Sequence, residues 1–150
     1  MVRATDADRH WLDEAIELSR RCPPSSRAFS VGAVIVDRAG VMLASGYSRQ
    51  RDPLDHAEEV ALAQLHADDV GLGDATIYSS LEPCSVRASR PQPCAELILA
   101  AGIRRVVFAW REPSVFVAGR GVEVLTAAGV TVIELPDHAD AVRAINAHLL

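Results

Sequence analysis

CAELILAAGIRRVVFAW (residues 94–110) changes character partway along, and that change decides the fold. Its first part, CAELILAAG (94–102), is rich in Ala and Leu and ends on glycine, the residue that closes a helix in the left-handed conformation. Its second part, RRVVFAW (104–110), is a β-branched and aromatic run of strand length. The same order recurs downstream, where GVEVLTAAG (121–129) leads into VTVIEL (130–135), and the strand-like ATIYSS (75–80) stands ahead of both units. Strand and helix in alternation imply βαβ crossovers and a parallel sheet.

Upstream, VGAVIVD (31–37) and VMLASGYS (41–48) flank Arg38-Ala39-Gly40 and read as an antiparallel hairpin, its first strand buried on both faces. Helices are expected over 9–22, where Trp11, Leu12, Ala15, Ile16 and Leu18 recur at helical spacing before Pro23-Pro24, over 57–66, and from about Asp137. These elements predict the α/β class: a three-layer α/β/α sandwich on a mixed five-stranded sheet, with the hairpin at one edge. At 150 residues, with no internal repeat or linker, the chain is expected to form a single domain over 1–150.

With 49% hydrophobic and 23% charged residues, the composition is that of a globular protein. No apolar run approaches the roughly 20 residues that cross a bilayer, and MVRATDADRHW lacks the apolar stretch of an export signal. No membrane association and a cytoplasmic location are therefore expected. The net charge is −5 and the positive residues are scattered, which disfavours a nucleic-acid partner. All 15 of them are arginine, so neither a lysine Schiff base nor a lysine general base can operate.

The three cysteines, Cys22, Cys84 and Cys94, are too few and odd in number for a disulfide framework. Cys84 and Cys94 each follow a proline at a loop-to-helix junction, where backbone N–H groups and the positive helix end favour a thiolate. His56, in HAEE (56–59), opens another helix. One imidazole and two thiolates make three ligands for zinc with a fourth position open, against the alternative of unrelated buried thiols and a surface histidine. Cys22 reads as a spare, and His10, His66, His138 and His148 as surface residues. Glu58, two residues past His56, can move the proton of an activated water. It can equally serve with Asp55 as a capping pair at the helix start.

His-Ala-Glu followed by Pro-Cys and a second Cys resembles the zinc-dependent cytidine deaminase superfamily, whose signature is His-x-Glu with Pro-Cys-x-x-Cys. The resemblance spans about residues 25–135. LEPCS (81–85), CAELILAAGIRRVV (94–107) and VAGRGVEVLTAAGV (117–130) look most like the pyrimidine deaminase domain of riboflavin biosynthesis, without the reductase domain often fused to it. The resemblance implies a cytidine deaminase-like fold, one zinc per chain on His56, Cys84 and Cys94, Glu58 as the catalytic proton shuttle, and a homodimer or homotetramer.

The chain departs from that pattern at several places. Nine residues separate the two cysteines where the superfamily commonly has two. In SSRAFSVGA (25–33) and REPSVF (111–116), Ala28-Phe29 and Ser114 stand where the riboflavin group usually carries asparagine. Losing buried polar recognition groups retargets a pocket. The residues expected to face substrate are Phe29, Ala57, Ser114 and Arg120; Phe29 could stack on a base or belong to the core, and Arg120 could meet a phosphate or simply be solvated.

The leading expectation is hydrolytic deamination of a small heterocyclic amine: an aminopyrimidine-type base, nucleoside or nucleotide. A deaminase acting on tRNA or single strands, and a non-catalytic zinc-stabilised scaffold, are the rival readings.

Overall fold

The computed structural model describes residues 3–65, 72–87, 90–111 and 120–150. Five helices and five strands are formed among them: α1 (Asp6–Ser19), β1 (Gly32–Val36), β2 (Met42–Tyr47), α2 (Ala57–Leu62), β3 (Thr76–Leu81), α3 (Cys94–Ala101), β4 (Arg105–Trp110), α4 (Gly121–Ala127), β5 (Thr131–Glu134) and α5 (Ala139–Ile145). The sheet order is β2-β1-β3-β4-β5. β1 pairs antiparallel with β2 and with β3, while β3, β4 and β5 run parallel. The expected mixed sheet, with its hairpin at one edge, is thus observed.

Side-chain alternation divides the core between the two faces of the sheet. On one face Leu12, Ala15 and Ile16 of α1 and Val142 of α5 pack with Val34, Tyr78, Val107 and Ile133. On the other, Ala57 and Ala61 of α2, Ile98 of α3 and Leu125 of α4 pack with Ile35, Ile77 and Val106. β1, between two neighbours and covered above and below, is buried throughout, as its unbroken apolar run required.

α1 begins at Asp6, three residues before its expected start at residue 9. Thr5 Oγ1 accepts from the Asp8 N–H (3.1 Å) and Asp8 Oδ2 accepts from the Thr5 N–H (2.9 Å), a capping box that apolar spacing does not reveal. The helix ends at Ser19 rather than at residue 22, because Arg20, Arg21 and Cys22 bond back three residues instead of four. Asp8 also receives Arg105 through both oxygens (2.7 Å each) and the Tyr78 hydroxyl (2.7 Å), tying α1 to β3 and β4. α3 stops at Gly102, whose φ of 83° is the left-handed closure expected of it. The expected extension of α2 to residue 66 lies partly outside the described residues; the helix itself closes at Ala63.

Candidate metal centre

Parallel strands leave their C-terminal ends open beside the starts of the helices that follow, where a ligand can approach. Cys84 lies just past the end of β3, Cys94 is the first residue of α3, and His56 caps α2. The Cys94 N–H donates to Cys84 Sγ (3.2 Å) and the Ala95 N–H to the Cys84 carbonyl (3.0 Å), so the first turn of α3 fixes the Cys84 thiol. His56 Nδ1 stands 3.6 Å from Cys84 Sγ and 3.4 Å from Cys94 Sγ.

A tetrahedral zinc with sulfur at about 2.3 Å and nitrogen at about 2.0–2.1 Å sets its S and N ligands about 3.6 Å apart. The observed separations match that edge, and all three donor atoms lie within 4.8 Å of one another. The protonation chemistry of the set agrees. The hydrogen bond with Cys94 holds the Cys84 thiol down to about 4, and the same bond together with burial pushes the Cys94 thiol up. Their contact thus favours the thiolate form at Cys84, the form a divalent cation binds. Burial alone would lower His56, but its hydrogen bond to Cys84 and the Cys84 charge raise it instead.

Glu58 follows in the first turn of α2, 4% exposed. Burial, and then the charge of Cys84, push its carboxyl up to about 7. The capping role that the sequence left open for Glu58 belongs to its neighbour, since Glu59 Oε1 accepts from the His56 N–H (3.2 Å). Asp55 is engaged upstream, accepting from the N–H groups of Arg51 (2.9 Å) and Asp52 (3.0 Å) and from the Arg51 guanidinium.

His56, Ala57, Glu58 and Cys84 line a cavity of about 270 Å³, joined by Phe29, Leu54 and Leu81. Cys94 is fully buried, with its sulfur directed at His56. Phe29 belongs both to the core and to the cavity wall. It lines the cavity and packs edge-on against Trp110, ring centroids 5.9 Å apart. Arg120 stands exposed at the N-cap of α4 and is not among the cavity-lining residues. Ser114 lies outside the described residues.

Spacing did not identify the arginines around this cavity. Arg49, at φ 60°, sends its guanidinium to the Pro23 carbonyl (3.0 and 2.8 Å), the Phe29 carbonyl (3.1 Å) and Ser30 Oγ (2.9 Å). Residues 23–30, outside any helix or strand, are thereby held against the rim. Arg87 and Arg90, from the long loop between the cysteines, pair with Glu59 (3.0 and 2.9 Å), and Arg90 also reaches Asp52 (3.1 Å) and Asp55 (3.3 Å). Opposite charge in segments 51–59 and 85–93 is visible in the sequence, and would have suggested that contact.

Residues 5–110 match the model of the cytidine and deoxycytidylate deaminase zinc-binding region. The chain belongs to that family. It is similar to the diaminohydroxyphosphoribosylamino-pyrimidine deaminase of Schizosaccharomyces pombe, 40% identical over 126 residues that make up 83% of this chain and 31% of that protein. It is also similar to the riboflavin biosynthesis protein RibD of Escherichia coli, 37% identical over 126 residues, 83% of this chain and 33% of that one. This family member thus spans about a third of the length of the curated relatives it matches. Among solved structures, Acinetobacter baumannii RibD superposes with a TM-score of 0.78 at 32% identity, over 96% of this chain and 39% of that one. The Aspergillus oryzae Rib2 deaminase in complex with DARIPP shares the fold at a TM-score of 0.73 and 22% identity, over 95% of this chain and 99% of that one.

Proposed function

We propose that this chain is a zinc-dependent aminohydrolase that deaminates an aminopyrimidine-type base, nucleoside or nucleotide. The observation that carries the reading is the meeting of His56 Nδ1, Cys84 Sγ and Cys94 Sγ at ligand separations, with the Glu58 carboxylate in the wall of the same cavity. His56, Cys84 and Cys94 would hold one zinc per chain. Bound there, zinc supplies Lewis acidity and brings the pKa of water down to about 7.

The chain's own groups do the rest. The first turn of α3 holds the Cys84 thiolate in place, and the Glu59 carboxylate fixes the backbone N–H of His56. Glu58 takes a proton from the attacking water and passes it to the ring nitrogen as the new C–O bond forms, then takes the remaining proton of the new hydroxyl and delivers it to the amine as the C–N bond breaks and the C=O bond forms. Water and the amine give the oxo product and ammonia, with no redox change.

The name of the S. pombe relative and the ligand of the A. oryzae structure support an aminopyrimidine as substrate. A cavity of about 270 Å³ suits a molecule of that size rather than a polymer. The single-domain reading, with no membrane or nucleic-acid partner, stays part of the proposal. So does a homodimer or homotetramer, which exposed Val41, Met42 and Leu43 on and beside the edge strand β2 support. The site needs Cys84 and Cys94 as free thiols, which supports a reducing, cytoplasmic setting.

The test is ammonia release from a panel of aminopyrimidines, cytosine nucleosides and nucleotides, and aminopurines, run on wild type beside Glu58→Gln. The wild type is expected to release ammonia from an aminopyrimidine-type compound. Glu58→Gln should be about 10²–10⁴-fold slower with unchanged zinc content. Equal rates would remove Glu58 from the mechanism, and no release from any compound would favour a zinc-stabilised scaffold.

A further inference from the structure

Cys84 is attached at both ends of its short turn, and one attachment comes from an element with no ligand of its own. Glu82 is 1% exposed at the end of β3, two residues before Cys84. Its backbone N–H donates to the Trp110 carbonyl at the end of β4 (2.8 Å), and its carboxylate accepts from the Val122 N–H in the first turn of α4 (2.9 Å). Gly121, the residue before Val122, lies buried against the intervening peptide. A β-carbon there would come within 1.8 Å of the Pro83 carbonyl oxygen and 3.3 Å of Glu82 Cγ. That carbonyl belongs to the peptide that ends at the Cys84 nitrogen, so any side chain at 121 must displace it.

We propose that Glu82 and Gly121 form a seat on which the start of α4 sets the Pro83-Cys84 peptide, making both of them positioning residues for the zinc ligand Cys84. The inference rests on the metal reading above. The physical argument is one of constraint. Cys84 follows a strand and precedes a nine-residue loop, so its own segment does not define its direction. α3 fixes the residue from one side, through the Cys94 N–H on its sulfur and the Ala95 N–H on its carbonyl. The peptide on its other side is set by the Glu82 carboxylate held on a backbone donor and by van der Waals contact with a bare α-carbon. A ligand oriented by both neighbours keeps the edge lengths a tetrahedral ion requires, and loss of such supports costs metal affinity about 10–100-fold. The seat also accounts for a fully buried carboxylate at a position the deamination steps do not use.

The test measures zinc affinity by competition with a chromophoric chelator, together with the absorption spectrum of the cobalt(II)-substituted protein, which reports thiolate geometry without any turnover. Glu82→Ala and Gly121→Ala are expected to weaken zinc 10–100-fold and to shift the cobalt bands. Glu82→Gln, which keeps an acceptor oxygen at the same reach, should recover most of the affinity.

Gly32→Ala is the matched control, because its β-carbon would also come within 1.8 Å of a backbone oxygen, that of Ala15 under α1. It should lower the melting temperature while its folded fraction keeps wild-type affinity and spectrum. Wild-type affinity and spectrum in folded Glu82→Ala and Gly121→Ala would overturn the seat while leaving the zinc reading intact. So would a Gly32→Ala effect as large as that of Gly121→Ala. If Gly121→Ala does not fold, Glu82→Ala decides alone. A wild type that binds neither zinc nor cobalt would overturn the metal reading itself.

Discussion

His56, Cys84 and Cys94 reach their common point from helix starts and a strand end, whereas Arg27, Ala28, Phe29 and Val31, which line part of the same cavity, lie outside any helix or strand. The two regions are held by different forces. The metal-facing corner is positioned by elements whose burial the whole core enforces, with short-range additions such as the Cys94 N–H on the Cys84 sulfur. The 23–31 wall hangs on side chains from distant places: Arg49 on three of its residues, Asn146 on the Ser30 backbone (2.7 and 3.2 Å), and Ser48 on the Val31 N–H (3.0 Å). A reaction centre built on the first kind of support is rigid, and a wall built on the second can be retuned by single substitutions. This difference agrees with a sequence in which His56, Glu58, Cys84 and Cys94 match the deaminase pattern while Ala28-Phe29, in the wall, departs from it.

The largest effect should come from breaking the corner itself. Replacing Cys94 by Ala removes a ligand and is expected to weaken zinc by more than about a hundredfold, abolishing ammonia release, as titration with a chelator and the release assay would show. Cys94→Ala with wild-type zinc affinity would mean that the site lies elsewhere.

Next in size is Arg49→Ala, which strips four hydrogen bonds from the wall and none from the ligands. KM should rise roughly 10–100-fold with zinc content unchanged and kcat within a few-fold, the signature of lost substrate binding rather than lost chemistry. An equal fall in kcat and in zinc content would erase the distinction between the two regions.

Asp8→Asn touches neither region and should alter stability alone. Burial by itself would raise the Asp8 carboxyl, but Arg105, the Thr5 N–H and the Tyr78 hydroxyl outweigh it and hold it well below the ordinary carboxylate range. Because the folded pKa lies below the unfolded value of about 3.9, the contribution is fully present above about pH 4 and is lost as acid protonates the folded form. Urea melts are expected to show Asp8→Asn less stable at pH 7 by about 1–3 kcal/mol, the gap narrowing as the pH falls below about 4, with zinc affinity untouched. The smallest effect belongs to the exposed Arg20–Glu17 pair (3.2 Å), where Arg20→Ala should cost less than about 0.5 kcal/mol.

These regions also differ in how far the sequence discloses them. Runs of strand-forming residues bounded by glycine and turn residues located all five strands to within a residue or two; in β1 and β4 the run is apolar because both faces of the sheet are covered, while the edge strands β2 and β5 were marked by the turns beside them. His56, Glu58, Cys84 and Cys94 were legible for a related reason: each sits at an element boundary, and the elements themselves were visible. What stayed hidden lay in contacts between distant residues. The left-handed backbone at Arg49 and its reach to Pro23 have no periodic trace, and neither does the bond from Val122 to Glu82. The Thr5–Asp8 capping box was missed for a simpler reason, since it precedes Trp11, where the apolar stripe of α1 begins. Glu58 and Glu59 adjoin, and only the direction of their side chains divides the cavity-lining carboxylate from the capping one.

X-ray absorption at the zinc edge of the purified protein tests the metal centre most directly. Two sulfurs near 2.3 Å and one imidazole nitrogen near 2.0–2.1 Å, with a fourth position not filled by protein and one zinc per chain, are the expected result. A protein without zinc, or a shell closed by four side chains, would contradict it.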